Sequence, residues 1–126
     1  MNAQRGFEVA LAAAELSDAP RAGLRMGACL VAGARLLSVG SNRWHSHPSS
    51  ENKGFNRSFH AEHCALVRRQ HFDRMSGRLT LFVARRLADG TIGDSKPCSN
   101  CLALAKLAGV RKVWYYENGA QRELVL

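Results

Sequence analysis

The chain has 126 residues, a length that suits one domain built around one hydrophobic core. Hydrophobic residues make up 46% and charged residues 22%, as in ordinary soluble globular proteins, and no apolar run approaches the roughly 18 residues of a membrane-spanning helix. Eighteen Lys and Arg against ten Asp and Glu give a formal charge of +8, which favours anionic partners such as nucleotides, nucleic acid or anionic lipid.

The N-terminal third predicts one helix followed by a hairpin. Apolar residues recur at helical spacing over residues 3–17 and predict an amphipathic helix. Glu8 and Glu15 interrupt its apolar run, so no secretory signal is expected and we place the chain in the cytoplasm. Two apolar runs, Met26–Ala32 and Leu36–Gly40, flank a short glycine-containing segment and predict two strands joined by a tight turn.

The middle of the chain predicts a long polar loop between two ordered regions. Residues 43–59 are polar and contain Pro and Gly, and loops of this length in compact domains are usually functional or disordered. Residues 60–70 predict a helix, and the apolar run Leu79–Leu87 predicts a strand. Residues 91–96 predict a second polar loop.

The C-terminal part predicts a helix and two strands. Pro97 is expected at the first helical position, and Gly109 is expected to end that helix. About six residues separate the strand Val110–Tyr116 from a last strand at Glu123–Leu126, and a parallel crossover needs about a dozen or more, so these two strands should be antiparallel. The order of elements predicts one α/β domain over residues 1–126, with one mixed sheet of about five strands.

Two short motifs carry the candidate chemistry: His60-Ala61-Glu62 and Pro97-Cys98-Ser99-Asn100-Cys101. On a helix, residues three apart share a face, so Cys98 and Cys101 can bind one ion. The positive end of the helix dipole suits thiolate ligands, and His60 can supply a third ligand. Three protein ligands leave a position open for water, as in catalytic zinc sites, and Glu62 can carry the proton.

Less specific interpretations of the cysteines remain open at this point. The C-x-x-C pair could form a structural zinc site, with a fourth ligand from His63, Cys64 or Cys29, or it could be a redox pair. Cys29 lies in an apolar stretch, which favours a small core residue. A zinc-stabilised binding module without activity is a further alternative, although the presence of Glu62 argues against it.

Taken together, the two motifs resemble the signature of the cytidine deaminase-like superfamily, and the resemblance covers about Met26 to Tyr116. It implies a three-layer α/β/α sandwich, a Zn²⁺ cofactor bound by His60, Cys98 and Cys101, and Glu62 as proton shuttle. The chain is too short for the extra helix that follows the fourth strand in the tRNA and deoxycytidylate groups. The last strand should therefore reverse, as in the free-nucleoside group.

The resemblance also implies substrate contacts. Gly40-Ser41-Asn42 is similar to the Gly-x-Asn of the superfamily, whose Asn binds the substrate sugar, and the same resemblance marks Ala61 and Pro97 as substrate-binding positions. Because small deaminases of the superfamily are usually dimers or tetramers, we expect a homo-oligomer. We expect no membrane partner. Other residues of the two polar loops could bind a phosphate or stack on a base: Arg43, Trp44, His45, His47, Lys53, Phe55, Arg57 and Lys96.

We therefore expect zinc-dependent hydrolysis of a cytosine-bearing nucleoside or nucleotide, such as cytidine, deoxycytidine or their monophosphates, to the uracil product and ammonia. The compact chain favours a small substrate. The alternative is a deaminase acting on single-stranded DNA or RNA, by C-to-U or A-to-I editing, which the charge of +8 favours.

Overall fold

The computed structural model describes residues 2–16, 25–42 and 79–126. The first element is helix α1, Ala3–Ala14, and its N-cap is Asn2, whose Oδ1 accepts a hydrogen bond of 2.8 Å from the Arg5 backbone N–H. An Asn at this position satisfies one of the backbone donors that a helix start leaves unpaired. The helix lies within the predicted range 3–17 and confirms that prediction.

Within the described residues, six strands form one mixed sheet and a second helix follows the fourth strand: β1 Arg25–Ala32, β2 Arg35–Ser41, β3 Leu79–Arg86, β4 Ile92–Gly93, α2 Ser99–Leu107, β5 Val110–Glu117 and β6 Ala120–Val125. The strand order is β2-β1-β3-β5-β6, with β4 paired to β3. Strand β1 is antiparallel to β2 and β3, β3 is parallel to β5, and β5 is antiparallel to β6. The predicted α/β sheet and its antiparallel last pair are confirmed.

Local turn chemistry explains the two hairpins that the sequence predicted. The β5–β6 loop consists of Asn118 and Gly119, both with positive φ, at 52° and 78°. An Asn-Gly pair in this conformation is the preferred two-residue hairpin, because its twist matches that of the strands. Gly33, with φ of 61°, turns β1 into β2. Gly109, with φ of 94°, follows the last turn of α2 and ends it as predicted.

Two predictions for the stretch before α2 need correction. The polar loop 91–96 contains β4, because the chain reverses after β3 and pairs Gly93 with Arg85. Helix α2 begins at Ser99, since its N-cap Cys98 has extended dihedral angles (φ −70°, ψ 166°), so Pro97 precedes the helix and is not its first residue. The φ angle of proline suits extended backbone as well as a first helical turn, which is why the residue type alone misplaced the boundary.

The sheet separates two apolar clusters, because successive strand residues point to opposite faces. On one face α1 buries Phe7 and Ala10 against Cys29 and Phe82. On the other face α2 contributes Ala105 to a second cluster, with Leu30, Leu81 and Val113 among its members. This arrangement confirms the predicted three-layer sandwich. Neither helix in the described ranges is long and apolar enough to cross a membrane.

Close approach of α1 to the sheet depends on one glycine. A Cβ at Gly27 of β1 would overlap the Ala10 carbonyl oxygen and the Ala14 backbone nitrogen. Without a side chain at this position the helix can lie directly on the strand, which brings Phe7 and Phe82 to a ring-centroid distance of 5.5 Å in an edge-to-face arrangement.

Candidate active site

Both cysteines of the C-x-x-C motif lie at the start of α2. Cys98 is exposed and is the N-cap residue, and its side chain makes no capping hydrogen bond. Cys101 is only 1% exposed and sits in the first helical turn, three residues further on. No acidic residue occupies that first turn. Cys98 and Cys101 therefore both lie at the positive end of the helix dipole, which favours thiolate ligands.

This pair fits a zinc ion by its chemistry. Two sulfur donors one helical turn apart are a common half of a zinc site, and Cys98 at the N-cap and Cys101 in the first turn supply such a pair. The predicted residues His60, Ala61 and Glu62 lie outside the described residues. Within residues 2–16, 25–42 and 79–126, no three His, Cys, Asp or Glu side chains cluster as a metal site would require. The structure thus describes the positions of Cys98 and Cys101, and the binding of zinc by these two residues and His60 remains a prediction.

Cys29 belongs to the core and not to the metal site. Its side chain is fully buried among the residues that pack under α1, on the face of the sheet opposite α2. Its thiol donates a hydrogen bond of 3.4 Å to the Gly6 carbonyl, and burial raises its pKa to about 12. A thiol in this position cannot complete a site formed by Cys98 and Cys101. This removes one of the fourth ligands considered above and confirms Cys29 as a small core residue.

Asn42 lies at the carboxyl end of β2, where the sequence places a sugar contact. It is 8% exposed, and its Oδ1 accepts a hydrogen bond of 2.9 Å from the Met26 backbone N–H. The backbone N–H of Asn42 donates to the Met26 carbonyl over 3.1 Å. The carbonyl half of the side chain is therefore tied to β1, and Nδ2 is the donor that Asn42 could offer to a sugar hydroxyl.

The strand register puts Asn42 at the same edge of the sheet as the segment that leads to Cys98. Met26, the partner of Asn42, lies opposite Arg85 on β3. Two residues earlier on β3, the Val83 carbonyl accepts a hydrogen bond from Ser95, three residues before Cys98. Pro97, another predicted substrate contact, lies between Ser95 and Cys98 in the chain and is buried. Asn42 and the segment that leads into Cys98 therefore lie at the same end of the sheet, where β2 and β3 end.

Ser95 is a residue of this region that sequence reasoning missed. It was treated as part of a polar loop, yet it is 1% exposed. Its Oγ donates to the Val83 carbonyl and accepts from the Tyr116 N–H, over 2.8 and 2.9 Å. A serine in a polar stretch carries no local signal of burial, because the burial comes from strands that are distant in sequence.

Two neighbouring basic residues of the described part of the chain, Arg85 and Arg86 on β3, are divided between the faces of the sheet. Arg86 Nε lies 3.2 Å from a Glu15 carboxylate oxygen, and Lys112 Nζ lies 3.7 Å from one of Glu123. Arg85 and Arg86 thus place their charges on different faces of the sheet, and the neighbouring carboxylates partly neutralise Arg86 and Lys112. Lys96 is exposed; the other loop residues suggested for phosphate binding or stacking lie outside the described residues.

Trp114 and Tyr116 of β5 pack against the core beside α1. The Phe7 ring lies 6.3 Å from that of Trp114 and 4.4 Å from that of Tyr116, measured between centroids. Both rings are partly buried and pack against the cluster that lies under α1.

The chain matches a family model in sequence and is similar to known proteins in structure. The family model "Cytidine and deoxycytidylate deaminase zinc-binding region" matches residues 1–117. A cytidine deaminase from Burkholderia pseudomallei has a similar structure, with 22% sequence identity, a TM-score of 0.74, and coverage of 99% of this chain and 93% of its own. No curated protein matches the chain significantly in sequence.

A dCMP deaminase from the cyanophage S-TIM5 is also similar in structure. Its apo form is 25% identical to this chain, with a TM-score of 0.63 and coverage of 90% of this chain and 82% of its own. The same enzyme in complex with dCMP and dUMP aligns at 23% identity, with a TM-score of 0.62 and coverage of 90% and 81%. These likenesses concern the fold.

Proposed function

Because the chain belongs to the cytidine and deoxycytidylate deaminase zinc-binding family, we propose that it hydrolytically deaminates a cytosine-bearing nucleoside or nucleotide in a zinc-dependent reaction. The observation that carries the proposal is the pair of thiols at the start of α2, one at the N-cap and one in the first turn, at the end of the sheet where Asn42 also lies. Zinc would be bound by Cys98, Cys101 and His60, with Glu62 as the catalytic carboxylate.

Each residue has a defined task in this proposal. Bound zinc would supply Lewis-acid activation of the attacking water. Glu62 takes a proton from that water as it adds to the ring carbon that bears the amino group, and passes protons to the ring nitrogen and then to the departing amine. The carbon–nitrogen bond breaks, ammonia leaves, and the base retains a carbonyl oxygen derived from water. Buried Cys101 and exposed Cys98 would supply the two sulfur ligands.

The distribution of charge and a protein of similar fold support a free nucleoside or nucleotide as substrate. The cyanophage dCMP deaminase forms a complex with dCMP and dUMP, which supports a nucleotide monophosphate here. Within residues 2–16, 25–42 and 79–126, Arg86 and Lys112 have acidic neighbours in Glu15 and Glu123, and the basic residues of these ranges do not form the continuous positive groove that single-stranded nucleic acid requires. A free nucleoside or nucleotide is therefore preferred over a polynucleotide.

The direct test is ammonia release from a panel of substrates by the zinc-loaded protein. Cytidine, deoxycytidine and their monophosphates form one arm, and adenosine, guanine and short single strands of DNA and RNA form the other. We expect turnover in the first arm. Turnover of single strands only, with a steep loss on raising salt, would indicate the editing alternative, because each phosphate contact releases counterions. If every arm is silent with zinc bound, the enzyme assignment is wrong.

Two variants of Asn42 test its proposed contact with the sugar. Asn42→Asp retains an acceptor for the Met26 N–H but loses the Nδ2 donor, so KM should rise about tenfold at neutral pH, the equivalent of one hydrogen bond of about 1.4 kcal/mol. Asn42→Ala loses both interactions and should also destabilise the fold by about 1–3 kcal/mol. Thermal unfolding and steady-state kinetics separate the two effects. A wild-type KM in Asn42→Asp would contradict the contact.

A further inference from the structure

The parallel hydrogen-bond pairing between β3 and β5 ends where Ser95 lies between the two strands. The two strands pair in parallel from Leu79 opposite Val110 to Phe82 opposite Trp114. Continuing that register by two residues, the Tyr116 N–H would donate directly to the Val83 carbonyl. Instead the Tyr116 N–H donates to Ser95 Oγ over 2.9 Å, and Ser95 Oγ donates to the Val83 carbonyl over 2.8 Å. The hydroxyl thus stands in the place of one ladder hydrogen bond.

The backbone of the same segment completes the replacement. The Ser95 N–H donates to the Tyr116 carbonyl over 2.9 Å, so both backbone groups of Tyr116 are bonded to Ser95. One residue earlier, Asp94 Oδ1 accepts from the Asn118 N–H over 2.8 Å. The segment 94–95 is therefore held by β3, by β5 and by the β5–β6 turn. The side chain of Ser95 is 1% exposed, which makes its hydrogen bonds difficult to replace with water.

Ser95 is also close in sequence to the metal-binding turn. Only Lys96 and Pro97 separate it from Cys98, and the ring of Pro97 restricts the backbone between them. The Cys98 carbonyl then accepts the first hydrogen bond of α2, from the Leu102 N–H over 2.9 Å. A displacement of Ser95 would therefore be passed along three residues to the N-cap of α2.

We propose that Ser95 is a positioning residue for the zinc-binding turn, which it holds at a fixed place on the sheet by inserting its hydroxyl between β3 and β5. The proposal rests on the zinc-binding role of Cys98 and Cys101 proposed above. Without the hydroxyl, either the Val83 carbonyl and the Tyr116 N–H lose their partner, or the strands close and expel the segment 94–97. Both outcomes change the spacing that Cys98 must keep relative to the other ligands.

The first test compares zinc affinity in two variants that each lose a buried hydroxyl. Ser95→Ala removes the inserted hydroxyl, and Ser38→Ala removes one from β2, where Ser38 is 9% exposed. Titration against a competing chelator should show an approximately tenfold higher zinc Kd for Ser95→Ala, the size expected for an outer-shell group that orients a ligand. Ser38→Ala should keep the wild-type Kd even if its thermal stability falls. Ser95→Thr, which retains the hydroxyl, should bind zinc more tightly than Ser95→Ala.

The second test needs neither zinc nor activity. In the metal-free protein, amide hydrogen exchange at Leu102 reports how firmly the first turn of α2 is held, because this N–H bonds to the Cys98 carbonyl. Exchange there should accelerate in Ser95→Ala and not in Ser38→Ala. If the zinc Kd and the Leu102 exchange of Ser95→Ala equal those of Ser38→Ala, the positioning role is wrong. Failure of the wild type on all substrates would contradict the proposed function and leave this readout intact.

A milder variant covers the case in which Ser95→Ala does not fold. Asp94→Ala removes only the exposed bond to the Asn118 N–H and leaves the inserted hydroxyl in place. Because it loosens the same segment, it should accelerate Leu102 exchange by a smaller factor than Ser95→Ala. Exchange at Leu102 that is unchanged in Asp94→Ala would contradict a mechanical link between this segment and the turn.

Discussion

Replacing Glu62 with Gln is expected to lower kcat by about 10²- to 10⁴-fold, the usual contribution of a general acid–base group. The amide keeps the size of the carboxylate but cannot take a proton from water or return it to the base. Zinc content and the thermal unfolding midpoint should stay at wild-type values, because in the proposed site Glu62 is not a ligand. The measurements are steady-state deamination of the best substrate and metal analysis of the purified variant.

A second glutamate provides the control for this substitution. Glu8 is exposed on α1, where its Oε2 lies 3.3 Å from Arg5 Nη1, so Glu8→Gln makes the same chemical change away from the site. Surface ion pairs of this kind contribute little, and Glu8→Gln should retain full activity. If Glu62→Gln retained activity as well, another group would have to move the proton. Loss of zinc from Glu62→Gln would instead identify the carboxylate as a ligand.

Replacing Cys101 with Ala is expected to raise the zinc Kd by more than about 100-fold, since losing a ligand should exceed the roughly 10- to 100-fold cost of losing an outer-shell partner. Activity should fall in parallel and recover only partly at high zinc concentration. Cys101 is 1% exposed, so the smaller side chain also removes packing under α2, at a cost of about 1 kcal/mol. Zinc affinity by chelator competition and denaturant unfolding of the metal-free protein measure the two effects separately.

Cys29 offers a matched control for Cys101. It is equally buried, but it packs on the α1 face of the sheet and donates to the Gly6 carbonyl. Cys29→Ala should therefore destabilise the metal-free protein to a similar extent and leave the zinc Kd unchanged. Equal zinc affinity in the two alanine variants would show that Cys101 is not a ligand. A weaker affinity in Cys29→Ala alone would exclude the proposed ligand set.

The elements that could be predicted are those with local signals. The positive φ values at Gly33, Gly109 and Gly119 belong to residues that adopt them readily, so the two hairpins and the end of α2 were predicted close to their observed places. The antiparallel direction of the last strand followed from its short connection, although the strand begins at Ala120, three residues before the predicted Glu123. The start of α2 and the short β4 were mispredicted, because proline tolerates two conformations and because β4 exists only through its pairing with β3.

The candidate site divides in the same way. The spacing of Cys98 and Cys101 predicts a shared helix face, since the helical repeat is local, and the structure has Cys98 at the N-cap and Cys101 in the first turn of α2. Cys29 lies on the opposite face of the sheet, because its position on β1 points the side chain into the cluster under α1. The burial of Ser95 depends on the separation of β3 and β5, which no property of a loop serine indicates.

Residue types and their spacing define the chemistry available to this protein: thiol, imidazole and carboxylate groups in short motifs, together with turns whose residues favour one backbone conformation. The folded chain adds which groups lie at the same end of the sheet, which cysteine is buried on the other face, and which contacts hold the segment before Cys98. Spacing and dihedral preference act over only a few residues. Strand register and burial, in contrast, join segments such as Met26 with Asn42 and Val83 with Ser95 across the fold.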